Sequence, residues 1–315
     1  MTVSRVLRGG TGFSEETRDK VLREVDRLRY VPNRLAAAFG TTGASTLVGV
    51  CVPRLTSRLF AEVLETIDHT LQRLGYQTMI GSHDQKPEAE EEWLKSLVSW
   101  RPAGVILSSR EHSRATLELL QSAAVPVVEI WDLNTRPIDL SVGFSHGDCG
   151  FEMGRFLVGR GWRRMGFVGA LAGAGTQGHA RREGFARALA EAGQRLEESE
   201  ILHDRPGFYA GYYGTETILS RRPDLDALYF HDDEMAIGGL AYCAAKGINV
   251  PGRLAIAGWG GMEAASILPK RLTTTVVPTI SLGKSAAELL VARLRGEPCP
   301  DVTLIATRLV PGATA

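Results

Sequence analysis

From Leu47 to near the C-terminus, short apolar runs alternate with longer stretches whose apolar positions recur every three or four residues. The first kind reads as buried strand, the second as amphipathic helix. Strands are predicted over 47–52, 76–80, 104–107 and 125–130. Between them, Phe60, Val63, Leu64, Ile67, Leu71 and Leu74 mark one helix face; further helices run through Trp93 and Leu97 and over 115–123. Beyond residue 142 the pattern restarts, with helices over 150–158, 181–192, 210–219 and 234–245 and strands over 164–169, 199–203, 227–230 and 254–258. Helix 281–294 and strand 303–306 follow. Such alternation implies parallel sheets covered by helices on both faces. Eight or so strands are many for one small sheet, so an α/β fold of two doubly wound lobes, divided near 142–150, is expected. The late helix returns to the first lobe. The expected boundaries are 46–147 plus 277–297 for that lobe and 148–276 plus 298–315 for the other.

The first forty-five residues have another rhythm. Residues 2–8 suit a helix, which Gly9-Gly10-Thr11-Gly12 breaks. Ser14 followed by Glu15 and Glu16 starts a second helix, with Val21, Leu22, Val25 and Leu28 on one face. That helix ends before Tyr30-Val31-Pro32, a short helix fits 33–39, and residues 40–45 read as a linker.

Composition narrows the function classes. The chain has 315 residues, 44% hydrophobic and 23% charged, enough for two packed domains and a small module. No apolar run approaches the roughly eighteen residues of a membrane span, and the N-terminus has no signal-peptide core. A cytoplasmic protein without a membrane partner is expected. Cys51, Cys149, Cys243 and Cys299 are too far apart for a C-x-x-C or a metal spacing, so they read as reduced thiols. Net charge is zero, but residues 1–40 carry eight Lys/Arg against five acids, a weak footprint for phosphate contact.

Two doubly wound lobes place the carboxyl ends of their strands at a shared cleft, where ligands bind in such sheets. Polar residues fall at those ends. Arg54 and Ser57 follow the first strand, Ser82 and His83 the second, and Ser108, Ser109, Arg110 and His112 the third. Glu129 and Asp132 flank the end of the fourth, Asp232 and Asp233 follow Phe230, and Trp259 follows Gly258.

Ordered motifs carry a resemblance. Met1-Thr2-Val3-Ser4-Arg5-Val6-Leu7 resembles the recognition helix of the lactose-repressor (LacI/GalR) family, Ser14 to Leu22 the helix after it, and Arg29-Tyr30-Val31-Pro32-Asn33 the lead-in to its hinge helix. In the body, Phe60-Ala61-Glu62, Arg181 with Gly184-Phe185, Asp232-Asp233-Glu234-Met235-Ala236-Ile237-Gly238, Ala257-Gly258-Trp259 and Leu272-Thr273-Thr274 resemble family segments in the family's order. Tyr76-Gln77-Thr78-Met79, Val127-Val128-Glu129, Val142-Gly143-Phe144 and Ala255-Ile256-Ala257-Gly258 are most similar to the gluconate-repressor subgroup. The resemblance implies lobes of the type I periplasmic-binding-protein kind, preceded by a partial helix-turn-helix and a hinge helix within residues 1–45. It also implies a supporting helix before the recognition helix. Met1 stands at an internal position of that recognition helix, so the head as written is expected to bind DNA poorly.

The resemblance further implies site residues. Thr2, Ser4 and Arg5 would face the major groove of operator DNA. Asn33, Leu35 and Phe39 would belong to a hinge helix in the minor groove, with Phe39 near a position where relatives carry a Leu wedge. Arg181 would hold an effector carboxylate or phosphate, with Arg110 and His112 as a second basic pair; two cations in one cleft suit a sugar acid. Leu59 and Phe60 would wall the cleft mouth, and Ser108, Asp132, Gln177, Asp232 and Trp259 would line it. Asp232 stands where relatives carry a ligand-contacting Asn; Asp233 is the expected cap of the helix that follows. Trp131 and Trp259 suit either sugar stacking or core packing. Gly260 replaces an Asp common in neutral-sugar relatives.

Gly173-Ala174-Gly175-Thr176-Gln177-Gly178 spells the dinucleotide fingerprint, but in the second lobe and without an acidic residue at the next strand end. It reads as a decoy. No nucleophile elbow, metal-binding motif or paired catalytic carboxylates stand out, so no cofactor, no metal and no enzyme activity are expected. The leading expectation is a repressor, a homodimer or tetramer, released from operator DNA by a small sugar or sugar acid such as gluconate. The alternatives are a stand-alone sugar-binding protein of periplasmic type and, last, a nucleotide-dependent oxidoreductase.

Overall fold

The computed structural model describes residues 2–7, 11–30, 45–84, 86–108, 111–133, 136–170, 175–203 and 206–315, without the side chains of Ser4, Leu7, Gly175 and Thr176. They form two units, Met1–Ser45 and Thr46–Ala315.

In the head, α1 (Thr2–Leu7) buries Val6. Helix α2 (Glu15–Arg27) starts where the sequence places it: the Ser14 hydroxyl accepts the Thr17 amide at 3.3 Å, and Glu15 and Glu16 occupy the first turn. The expected hinge helix, with Asn33, Leu35 and Phe39, lies outside the described residues.

The body opens with β1 (Leu47–Val52), α3 (Arg58–Arg73), β2 (Gln77–Ser82), α4 (Pro87–Ser99), β3 (Gly104–Leu107), α5 (Arg114–Ala123), β4 (Val127–Asp132) and β5 (Leu140–Phe144). The second half contains α6 (His146–Gly159), β6 (Met165–Ala170), α7 (Gly175–Glu191), β7 (Leu196–Leu202), α8 (Phe208–Arg221), β8 (Ala227–Phe230), α9 (Asp233–Ala245), β9 (Ala255–Gly260), α10 (Glu263–Ile267) and β10 (Thr273–Val276). The chain then returns through α11 (Thr279–Leu294), β11 (Val302–Leu304) and β12 (Arg308–Val310). The sheet orders are β11-β5-β4-β3-β1-β2 and β12-β10-β9-β8-β6-β7, parallel except for β12. In both, chain order reverses at the first strand of the lobe, the switch point at which such sheets bind ligands.

One boundary is corrected. Residues 298–315 do not belong wholly to the second lobe, because β11 pairs with β5 of the first sheet and only β12 joins the second. Backbone bonds from Ser141 to the Asp301 carbonyl (2.8 Å) and from Ile305 to the Gly143 carbonyl (2.7 Å) hold this edge. The lobes therefore exchange chain three times, after β5, after β10 and between β11 and β12. One apolar cluster runs through both, from Val48 and Val50 to Tyr229 and Ala257.

Helices α6 and α7 lie backbone to backbone. A methyl group on Gly150 would strike the Arg181 carbonyl, and one on Gly184 the Gly147 carbonyl. This close approach gives the Arg-x-x-Gly spacing a physical reason: Gly184 lets α7 dock, and Arg181, one turn earlier, is pressed toward the start of α6. Among the described residues no helix is long and apolar enough to cross a membrane.

Candidate effector site between the lobes

A cavity of about 170 Å³ opens between the carboxyl ends of the two sheets. Its first-lobe wall comes from the turn after β1 and the start of α3, with Arg54, Ser57 and Leu59; the second-lobe wall holds Asp232, Trp259 and Met262. Behind it stands an aromatic stack. Phe60 and Trp131 have ring centres 4.5 Å apart, Trp131 and Trp259 6.1 Å, and Trp259 and His146 5.3 Å. Trp131 holds a backbone φ of 87°, rarely adopted by residues other than glycine, at the end of β4. Its indole is core and only Trp259 reaches the cavity.

Arg181 lies beneath this wall, 1% exposed, with Cζ 3.9 Å from the centre of the Trp259 ring. Nη1 is 2.6 Å from His146 Nδ1, and Nη2 donates to the His231 carbonyl at 2.9 Å. Its Nε has no hydrogen-bond partner, and no carboxylate pairs with the guanidinium, among the described residues. Burial pulls its pKa down, opposed by the fields of Tyr229, Cys149, Asp232 and Asp132. Burial, then Arg181 and Arg54, hold the His231 imidazole well below the ordinary imidazole range.

Roles at the start of α9 are reversed from expectation. Asp232, not Asp233, caps the helix, accepting the Met235 amide at 2.8 Å. Asp233 accepts the Thr274 hydroxyl at 2.5 Å and the Met262 amide at 2.6 Å, tying α9 to β10 and to the turn after β9. An acceptor at position 233 already surrounded by donors leaves the capping to its neighbour. Burial raises the Asp232 pKa to about 7 and that of Asp233 to about 6.

The sequence-predicted residues divide into groups. Leu59, Asp232 and Trp259 line the cavity. Phe60, Asp132 and Arg181 are buried behind or beside its wall. Gln177 is half-buried on α7 and is not among the described lining residues. Ser108 is buried at the end of β3, its hydroxyl without a partner among the described residues. Arg110 lies outside the described residues.

His112 is placed differently from expectation. Its Nδ1 is 2.6 Å from Glu90 Oε1 and its Nε2 faces Glu129 Oε1 at 3.7 Å, all three side chains 2% exposed or less. Burial alone would lower its pKa, but the two carboxylates outweigh burial and raise it to about 9. Its charge is consumed inside the first lobe, so it forms no basic pair at the cleft.

The decoy fingerprint is split, since α7 starts at Gly175 and residues 171–174 lie outside the described residues. Among the described residues no group of three or more His, Cys, Asp or Glu side chains is placed to hold a metal ion.

Comparison with known proteins decides the family. Residues 1–33 match the model of bacterial regulatory proteins of the lacI family, and residues 155–315 that of a periplasmic binding protein-like domain. The HTH-type transcriptional regulator GntR of Escherichia coli K12 is 34% identical over all of this chain and 94% of its own length. The chain belongs to the LacI family. It is a transcriptional regulator and not an enzyme. A LacI-family regulator from Silicibacter pomeroyi superposes with a TM-score of 0.92 at 37% identity, over 100% of this chain and 95% of that one. The transcription regulator GntR from Chromobacterium violaceum does so with a TM-score of 0.81 at 33% identity, over 85% of this chain and 98% of that one. As in a LacI-family regulator, the head carries a family match, and Thr2 and Arg5 are exposed on α1.

Sequence reasoning passed over His146 and His231. Both stand just past strand ends, His146 two residues after β5 and His231 directly after β8. That placement, and not their residue type, was the available signal.

Proposed function

We propose that this regulator is a cytoplasmic repressor whose effector is a sugar acid of the gluconate type, bound between the lobes and releasing the protein from operator DNA. One observation carries the acid: Arg181 is a buried guanidinium with no paired carboxylate among the described residues. A buried cation without a carboxylate partner is costly, and an anionic ligand arriving at the cleft adds the negative charge that its hydrogen bonds do not supply. The likeness of several segments to gluconate-type repressors supports the same class. Trp259 offers a flat apolar shelf for the carbon chain, and Asp232 an acceptor for its hydroxyls. The groove-facing roles of Thr2, Ser4 and Arg5, and the hinge role of Asn33, Leu35 and Phe39, belong to this same reading.

The working form is a homodimer, with a tetramer as the alternative assembly. Tyr209 and Tyr213 on α8 and Ile267 on α10 are 82%, 56% and 79% exposed, apolar surface that a second copy would cover. Effector binding changes the angle between lobes and with it the spacing of the two heads. This requires the effector to bind one arrangement more tightly than the other.

The test is a thermal-shift screen of gluconate, phosphogluconate, related aldonates and neutral sugars. Stabilisation by sugar acids is expected; stabilisation by neutral sugars alone would sink the reading. Operator binding that tightens when gluconate is added would contradict the proposed sign.

A further inference from the structure

We propose that Arg54, on the turn after β1, pairs directly with the anionic group of the effector and makes the cleft select acids over neutral sugars. This rests on the sugar-acid reading above. Three guanidinium groups stand at or behind the cavity, and two are already committed. Arg58 holds Glu62 at 3.0 Å and Glu263 at 3.4 Å. Arg181 is 1% exposed, covered by the Trp259 ring and bonded to His146 and the His231 carbonyl. It supplies positive field from beneath the wall and positions Trp259, but an effector seated in this cavity meets the indole first.

Arg54 is different on each count. It lines the cavity, is half-buried, and makes no hydrogen bond or ion pair with any described residue. It follows the strand at which the first sheet reverses its order, since β1 pairs with both β2 and β3. Its charge acts on His231, on the opposite lobe, so the side chain lies within electrostatic reach of both walls. A half-desolvated guanidinium with all five donors uncommitted is a ready partner for a carboxylate or phosphate, which it can grip with two parallel bonds. Lysine at this position would offer only a point charge.

The experiment is calorimetric titration of the purified chain with gluconate and with sorbitol, which is gluconate with its carboxylate replaced by a hydroxymethyl group. Arg54→Gln should weaken gluconate binding about 10- to 100-fold, the usual worth of a charge-assisted bond. Arg54→Lys should retain part of the affinity, and Arg114→Gln, at an exposed cation on α5 outside the cavity lining, should stay within about threefold of wild type. The melting midpoint of unliganded Arg54→Gln should match wild type, because the side chain bonds nothing. Wild-type gluconate affinity in Arg54→Gln overturns the assignment while leaving the sugar-acid reading intact. Equal losses for gluconate and sorbitol also overturn it, since shape and not charge would then be at stake. A wild-type chain that binds no aldonate overturns the sugar-acid reading, and the role of Arg54 with it.

Discussion

Arg181 Cζ lies 3.9 Å from the centre of the Trp259 ring, so the buried cation backs the cavity wall. A cation over an indole face is worth about 2 kcal/mol when desolvated, enough to fix the orientation of the shelf. Replacing Trp259 with Leu should remove that shelf and lower gluconate affinity about tenfold. The change in intrinsic fluorescence on binding should shrink with it. An unaltered fluorescence response in the variant would place the effector elsewhere.

Asp232 should make effector binding depend on pH. Burial raises its pKa to about 7, so above that pH it is a carboxylate facing an acidic ligand, and below it the repulsion is lost. Gluconate affinity should therefore rise as pH falls from 8 to 6, by up to about tenfold. Asp232→Asn should flatten the profile. Titrations at several pH values with both proteins check this; a wild-type profile with no slope would show that Asp232 does not face the ligand.

His112 should govern stability in mildly alkaline solution. Its folded pKa is raised to about 9 by Glu129 and Glu90 despite burial. The stabilisation is thus fully present below the ordinary imidazole value and disappears as pH rises through about 9. Thermal midpoints should fall over that window, by an amount corresponding to about 3 kcal/mol. His112→Gln should be less stable at pH 6 and show a shallower decline. A wild-type midpoint independent of pH from 6.5 to 9 would contradict the ion cluster.

Much of the fold is legible in the sequence, and the exceptions have physical causes. Strands Gly104–Leu107 and Ala227–Phe230 are continuous apolar runs with all four residues buried, and their predicted and observed bounds coincide. Strand β10 escaped because four residues rich in Thr look like a loop, and β12 because three residues paired antiparallel at an edge carry no run at all. Helix α7 begins six residues before Arg181, through Gly-Thr-Gln-Gly-His-Ala, a stretch without an apolar face. The candidate site is partly legible in the sequence. Arg181, Asp232 and Trp259 follow from motif and strand-end position. The role of His112 did not, because Glu90 and Glu129 reach it from 22 residues before and 17 residues after in the chain, a pairing that only the packed lobe creates.

Gly184 offers a test of the helix contact that positions Arg181. A methyl group there strikes the Gly147 carbonyl, which is backbone and cannot swing away. Gly184→Ala should cost about 1–3 kcal/mol of stability and weaken gluconate binding through displacement of α7. Denaturant titration beside calorimetry separates the two effects. Unchanged stability would show that the helices can part without cost.

This regulator is proposed to hold a sugar acid between its lobes. A crystal structure of the chain grown with gluconate tests it most directly. The ligand is expected in the cavity between the β1–α3 turn and the ends of β8 and β9, its carbon chain on Trp259 and its carboxylate on Arg54. Gluconate bound elsewhere, or a cleft left empty at saturating gluconate, would contradict it.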